Sequence, residues 1–147
     1  MKIVILGAGR IGSSLARNLS NSNYEVCIVD ENKNKLSELE DKLDIMTVEG
    51  SASHLNTLKK SGLDEDTIVL AVTSNDEVNI VACQIAKKAF DVKKTICRFR
   101  DNSYFGKLDI FGEGVIDIPI SPEDEITTHL KELIDHPGAN QIESFAN

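Results

Sequence analysis

Residues 1–12 read Met1-Lys-Ile-Val-Ile-Leu-Gly7-Ala-Gly9-Arg-Ile-Gly12. An apolar run, Ile3 to Leu6, stops at a glycine, and Gly7, Gly9 and Gly12 follow at G-x-G-x-x-G spacing. Each glycine has a mechanical job. Gly7 permits a tight turn, Gly9 lets a pyrophosphate approach the backbone, and Gly12 lets a helix pack close to the strand. An anion then sits on the N–H groups at the positive end of that helix.

Glycine-rich turns are common, so the motif needs support from its surroundings. Ile11, Leu15 and Leu19 recur at i, i+4 and i+8, which predicts a helix directly after the turn. Tyr24 to Val29 reads as a second strand and ends in Asp30, about 20 positions after the glycines, where the motif asks for an acid. A carboxylate there accepts hydrogen bonds from ribose hydroxyls and repels a 2′-phosphate, which favours NAD or an adenosine nucleotide over NADP.

The pattern continues as strand and helix in alternation. Lys33 to Lys42 is a predicted helix with Leu36, Leu39 and Leu43 on one face. Ile45 to Glu49 is a third strand, and Ser53 to Ser61 a short helix with Leu55 and Leu58 inward and Gly62 closing it. Thr67 to Val72 is a wholly buried fourth strand. The next helix sets Val78, Val81, Ala82, Ile85, Ala86 and Ala89 on its packed face. Lys94 to Arg98 and Val115 to Ile118 are strands five and six, with a short helix expected within 104–111. Ser121-Pro-Glu-Asp124 opens a last helix carrying Ile126, Leu130, Leu133 and Ile134, and His136-Pro-Gly138 ends it.

Six strands alternating with helices predict an α/β fold, a Rossmann-like doubly wound parallel sheet in the order 3-2-1-4-5-6. Its ligand crosses the carboxyl ends of strands 1 and 4. Residues just after each strand are therefore expected to line one crevice: Gly7 to Gly12, Asp30, Gly50 to Ser53, Thr73 to Glu77, and Arg98 to Arg100. The candidate binding set is Gly7, Ala8, Gly9, Arg10, Ile11, Gly12, Asp30, Glu31, Gly50, Ser51, Ala52, Thr73, Ser74, Asn75, Glu77 and Arg98. Arg10 suits a phosphate, bidentately. Gly50 to Ser53 either leaves room for an adenine ring or forms a plain turn capped by a serine. Thr73 to Glu77 meets the far half of a dinucleotide or a terminal phosphate, or caps its helix. Arg98 and Arg100 face either an anionic ligand or the carboxylates of Asp76 and Glu77.

Composition narrows the partners. At 147 residues a single domain spanning 1–147 buries a sizeable core. A formal charge of −8 disfavours nucleic acid and anionic lipid as partners. No stretch approaches the roughly 18 apolar residues of a membrane span, so direct membrane insertion is not expected. The short opening run predicts no signal peptide, with Met1 starting the mature fold. Cys27, Cys83 and Cys97 are an odd number without C-x-x-C spacing. They read as buried core thiols, with a redox sensor as the alternative. His54, His129 and His136 form no metal-ligand spacing. No G-x-S-x-G, H-E-x-x-H or Walker lysine is present. A nucleotide unit that occupies nearly the whole chain leaves little room for a substrate site, so a catalytic role is not expected. An NAD-dependent oxidoreductase reduced to its cofactor domain is the competing class.

Several motifs together carry a family resemblance. They are Gly7-Ala-Gly-Arg-Ile-Gly12, Ile28-Val-Asp30, Val48-Glu-Gly50, Val72-Thr-Ser-Asn-Asp-Glu-Val-Asn79, Thr95-Ile-Cys-Arg98, Tyr104, Ile120-Ser-Pro-Glu123 and His136-Pro-Gly-Ala139. The chain resembles the nucleotide-binding domain (KTN, RCK N-terminal or TrkA-N) of Trk/Ktr-type potassium-uptake regulators. Where that family commonly has Gly-Asp after strand 3, this chain has Gly50-Ser51, so a carboxylate is missing from the second ribose or adenine contact. The resemblance implies a non-enzymatic cytoplasmic regulatory subunit at the inner face of the membrane. It binds NAD(H), or ATP/ADP, and gates a membrane potassium transporter subunit. It also implies a homodimer or larger ring, residues 119–147 as hinge helix and tail, and a chain equivalent to the first lobe of longer regulators.

Overall fold

A computed structural model describes residues 1–121. The helix expected from Ser121-Pro122 onward, and the hinge assigned to 119–147 apart from its first three residues, lie outside that range. The elements are β1 (Lys2–Leu6), α1 (Arg10–Ser20), β2 (Glu25–Asp30), α2 (Lys33–Lys42), β3 (Met46–Glu49), α3 (Leu55–Lys60), β4 (Thr67–Ala71), α4 (Asp76–Phe90), β5 (Lys94–Arg98) and β6 (Ile118–Ile120). Two 3₁₀ turns, Asn102–Tyr104 and Leu108–Phe111, stand where one short helix was expected.

The strands form one sheet in the order β3-β2-β1-β4-β5-β6, and every pairing is parallel. β1 and β4 are neighbours, in register from Lys2 opposite Thr67 to Leu6 opposite Ala71. The connection leaving β1 therefore turns one way and that leaving β4 the other, which opens a crevice at their carboxyl ends.

Period-two alternation splits the strand side chains between two cores. Ile3, Ile5, Ile28, Leu70 and Ile96 pack against Leu15 and Leu19 of α1 and Leu36 and Leu39 of α2. Val4, Leu6, Val29, Val69 and Cys97 pack on the other face against Leu58 of α3 and Ile80, Cys83 and Ala86 of α4. Ile3, Ile5, Leu6, Leu15 and Leu70 are all fully enclosed. Burying each such side chain contributes about 1.5–3 kcal/mol.

Three expectations shift. Leu55 opens α3 and is half exposed, because that helix is six residues long and only Thr57 and Leu58 reach the core. On α4 the packed face is Asn79, Ile80, Ala82, Cys83 and Ala86, while Val81 and Ala89 are exposed. Asn79 sets that rotation through hydrogen bonds described below. Finally, β6 is Ile118–Ile120 instead of Val115–Ile118. The Asp117 carboxylate accepts the Thr95 N–H at 2.8 Å while the Asp117 N–H donates to Thr95 O at 3.2 Å, so a side chain occupies the place of a ladder carbonyl and the strand register begins at Ile118. Val115 and Ile116 are buried as an approach to the strand. Pro119 is tolerated because β6 is the sheet edge.

Candidate functional site

The turn from β1 to α1 is fastened before any ligand arrives. Gly7 has φ +109°, a region open to glycine, and its N–H donates to Val29 O at 2.8 Å. A Cβ on Gly12 would lie 1.7 Å from Gly7 O, so only glycine lets α1 press on the turn. Gly9 is different. Its φ is −75°, available to any residue, and a Cβ there would meet nothing within 4 Å. Neither backbone nor packing explains glycine at position 9. What it leaves is open space beside the first turn of α1, where Gly9 offers no side chain to cap the helix and the first turn holds no acid. The helical ladder begins with Ser13 N–H on Gly9 O.

Asp30 closes the loop from the side. Its Oδ2 accepts the Ala8 N–H at 2.7 Å and its Oδ1 accepts the Asn32 N–H at 2.7 Å. An ionised carboxylate has about four acceptor positions. Two are used to hold the glycine loop and the start of α2, and two point elsewhere. The acid is thus a positioning group for the loop as well as the candidate ribose acceptor.

Across the switch point, Asn79 is completely buried with its amide fully used. Its Oδ1 accepts from Thr73 N (3.0 Å) and Thr73 Oγ1 (2.6 Å). Its Nδ2 donates to Thr73 O (3.1 Å) and Arg98 O (3.0 Å). One side chain therefore ties the end of β4 to the end of β5. Asn75 caps α4 by accepting the Val78 N–H, so the capping role weighed for this stretch is present.

The arginines donate to backbone carbonyls at the end of β4. Arg98 Nη1 donates to Thr73 O at 3.1 Å, and Arg100, two residues beyond the strand, donates to Ser74 O at 3.3 Å. Asp76 instead accepts the N–H groups of Arg100 and Asp101 at 2.8 and 3.1 Å. Partial burial, then the charges of Arg100 and Arg10, push the Arg98 guanidinium below its usual value, with Asp76 opposing. Arginine stays charged regardless.

These groups meet in two adjoining cavities. A cleft of about 330 Å³ is lined by Gly7, Val29, Asp30, Glu31, Gly50, Ser51, Ala52, Thr73, Asn75 and Val78. A cradle of about 250 Å³ adds Gly9, Arg10, Ile11, Lys35, Val72, Ser74 and Arg98. Most of the expected set is brought together. Gly12 is inside the helix packing, and Ala8 lines a neighbouring trough. Glu77 and Arg100 line a shallow pocket at the start of α4 that shares Asn75 with the cleft and Ser74 with the cradle. Ser51 and Ser53 bond to each other at 3.2 Å, and α3 starts from His54 without a side-chain cap. Val29, Val72, Val78 and Lys35 were missed. The three valines read as core, and Lys35 reads as solvated helix surface until the fold turns it toward the loop. Among the described residues no cluster of three or more His, Cys, Asp or Glu could hold a metal, and no helix is long and apolar enough to cross a membrane.

Comparison with known proteins matches the TrkA-N domain over residues 3–122. The chain belongs to the TrkA-N family. The Trk system potassium uptake protein TrkA of Vibrio alginolyticus is 41% identical over 149 aligned residues, covering 99% of this chain and 32% of that protein. The TrkA-N domain seen here thus spans about a third of that relative. Among solved structures, the NAD(P)-binding domain of an exopolyphosphatase-related protein from Archaeoglobus fulgidus superposes with a TM-score of 0.71 at 22% identity, over 90% of this chain and 96% of that one. The GsuK channel bound to NAD superposes at 0.65 and 19% identity, over 81% of this chain and 21% of that one. Those two share the fold.

Proposed function

We propose that this TrkA-N domain is a cytoplasmic nucleotide sensor. It takes NAD(H), or ATP/ADP in its place, and its occupancy biases a membrane potassium-uptake transporter. The relatives named as Trk potassium uptake proteins and the NAD-bound channel with the same fold support that role. The observation that carries it is Gly9, a glycine needed by neither backbone nor core, beside the first turn of α1. The diphosphate lies there with Arg10, the ribose on the two remaining acceptor positions of Asp30, and the adenine toward Gly50–Ala52. Ser51, where a carboxylate is common, contributes a weaker hydroxyl contact. The far half reaches Thr73, Ser74, Asn75 and Arg98.

Signalling follows from differential contact, since a ligand shifts an equilibrium only by its affinity difference between states. Thr73 is the place for it. Asn79 links Thr73 to the carbonyl of Arg98, and Arg98 pairs in register with Ile120 of β6. A ligand that pulls on Thr73 thus acts on β6, whose last two residues open the proposed hinge of 119–147. Coupling of about 1–3 kcal/mol is typical. A homodimer or ring would add the angles of two such hinges.

Calorimetric titration of NAD, NADH, ATP and ADP tests the proposal on wild type, Gly9→Val and Asp30→Asn. Wild type binds without turnover, Gly9→Val folds and does not bind, and Asp30→Asn binds more weakly. Substrate-dependent NADH oxidation would favour the oxidoreductase class. Equal affinity in wild type and Gly9→Val would contradict the placement.

A further inference from the structure

A further cavity lies between α1 and α2 and shares Gly9, Arg10 and Lys35 with the cradle. It is a trough of about 390 Å³ lined by residues of α1 and α2, with Ala8 and Gly9 at its head. Arg10 and Arg17 stand seven residues apart on α1, and Lys35 and Lys42 seven apart on α2. At 1.5 Å rise per residue, each row holds two cations about 10 Å apart along its helix. Glu38 is the one acid in the lining. Four of the 16 basic residues of a chain with net charge −8 therefore border one groove. All four are exposed, while Leu39 at the floor is buried. Like charges facing each other across a groove raise its potential and favour an anion inside it.

Where the trough begins decides what kind of anion. Gly9, Arg10 and Lys35 line both the trough and the cradle beside the cleft. A phosphate at Gly9 is thus in contact with both cavities. We propose that the trough between α1 and α2 is a subsite for a phosphate chain longer than a diphosphate, entered from Gly9 and held by Lys35, Arg17 and Lys42. It rests on the nucleotide reading above for where the base and sugar lie. A dinucleotide turns at Gly9 toward Thr73 and leaves the trough unused. A nucleoside polyphosphate places its outer phosphates in it, and so does a free polyphosphate. The two kinds of ligand then differ in which helices they clamp.

Arg17→Ala/Lys42→Ala tests the subsite, since both positions are exposed and lie outside the cleft and cradle. The probes are AMP, ATP and inorganic tripolyphosphate, titrated calorimetrically at fixed ionic strength. In wild type ATP binds more tightly than AMP, and in the double variant that advantage falls by about tenfold, as for loss of two charge-assisted contacts. AMP affinity stays within about twofold, because the trough is beyond its single phosphate. Tripolyphosphate that binds together with AMP assigns the subsite to a free chain. Tripolyphosphate that competes with ATP, with the advantage of ATP over AMP lost in the variant, assigns it to the nucleotide's own phosphates. An unchanged ATP-to-AMP ratio with no variant-sensitive tripolyphosphate binding overturns the subsite. Failure of AMP and NAD to bind wild type, with variant-sensitive tripolyphosphate binding intact, would instead overturn the nucleotide reading and leave the trough standing.

Discussion

Gly9 and Gly12 are three residues apart and answer to different forces. Gly12 is held by packing, since its Cβ would sit 1.7 Å from a backbone oxygen. Gly12→Ala should therefore lose at least about 2 kcal/mol in a urea melt. Gly9→Val should stay within about 1 kcal/mol of wild type, the residual cost being a poorer helix cap. A large stability loss in Gly9→Val would show a structural role for that glycine. The glycine spacing and Asp30 were legible in the sequence because the motif is local. The grip of Asp30 on Ala8 N–H was not, since it joins residues 22 apart. The three cysteines answer to burial. Burial raises the Cys27 thiol to about 11, and a hydrogen bond with Cys83, then burial, push Cys97 up as well. At pH 8 Cys27 is thiolate in about one molecule per thousand. A thiol reagent should find none of the three in the native protein and all three in guanidinium. Rapid native labelling of any one would revive the redox alternative.

At the scale of elements, α4 shows why periodicity misplaces a face. Its apolar residues cover more than one stripe: of the face read from sequence, Ala82 and Ala86 are buried and Val78 and Ile85 pack partly against the core, while Val81 and Ala89 are exposed. The structure turns the helix toward Asn79, a polar residue that no hydrophobic pattern selects, yet one that is wholly buried with four hydrogen bonds. Asn79→Leu keeps the branched outline with bulkier methyl groups and strands the polar atoms of Thr73 and the carbonyl of Arg98. The expected loss is about 3 kcal/mol in equilibrium unfolding, with weaker nucleotide binding in the fraction that folds. A neutral result would mean that water replaces the amide. The start of β6 was misread for a similar reason. The apolar residues before it are core, but Asp117 takes the Thr95 N–H and is itself held by Lys87 at 2.8 Å. A side chain that imitates a ladder carbonyl leaves no trace in hydropathy.

For the whole molecule, strand order was the most legible property. Parallel right-handed crossovers leave few ways to arrange six strands and their helices, and β1 and β4 then meet at the switch point. The crevice followed from that order. Its walls were less legible, because Lys35 and Val78 reach it only through helix orientation, and Glu77 and Arg100 line a separate pocket at the start of α4. The functional account requires a ligand at the carboxyl edge of the central strands. The most direct measurement is amide chemical-shift mapping of the ¹⁵N-labelled protein titrated with NAD or ATP. The account predicts the largest saturable shifts at residues 8–12, at Asp30 to Asn32, at 50–52 and at 73–75, with Thr95 and the β6 edge moving less. Shifts confined to other surfaces, or none at saturating ligand, would contradict it.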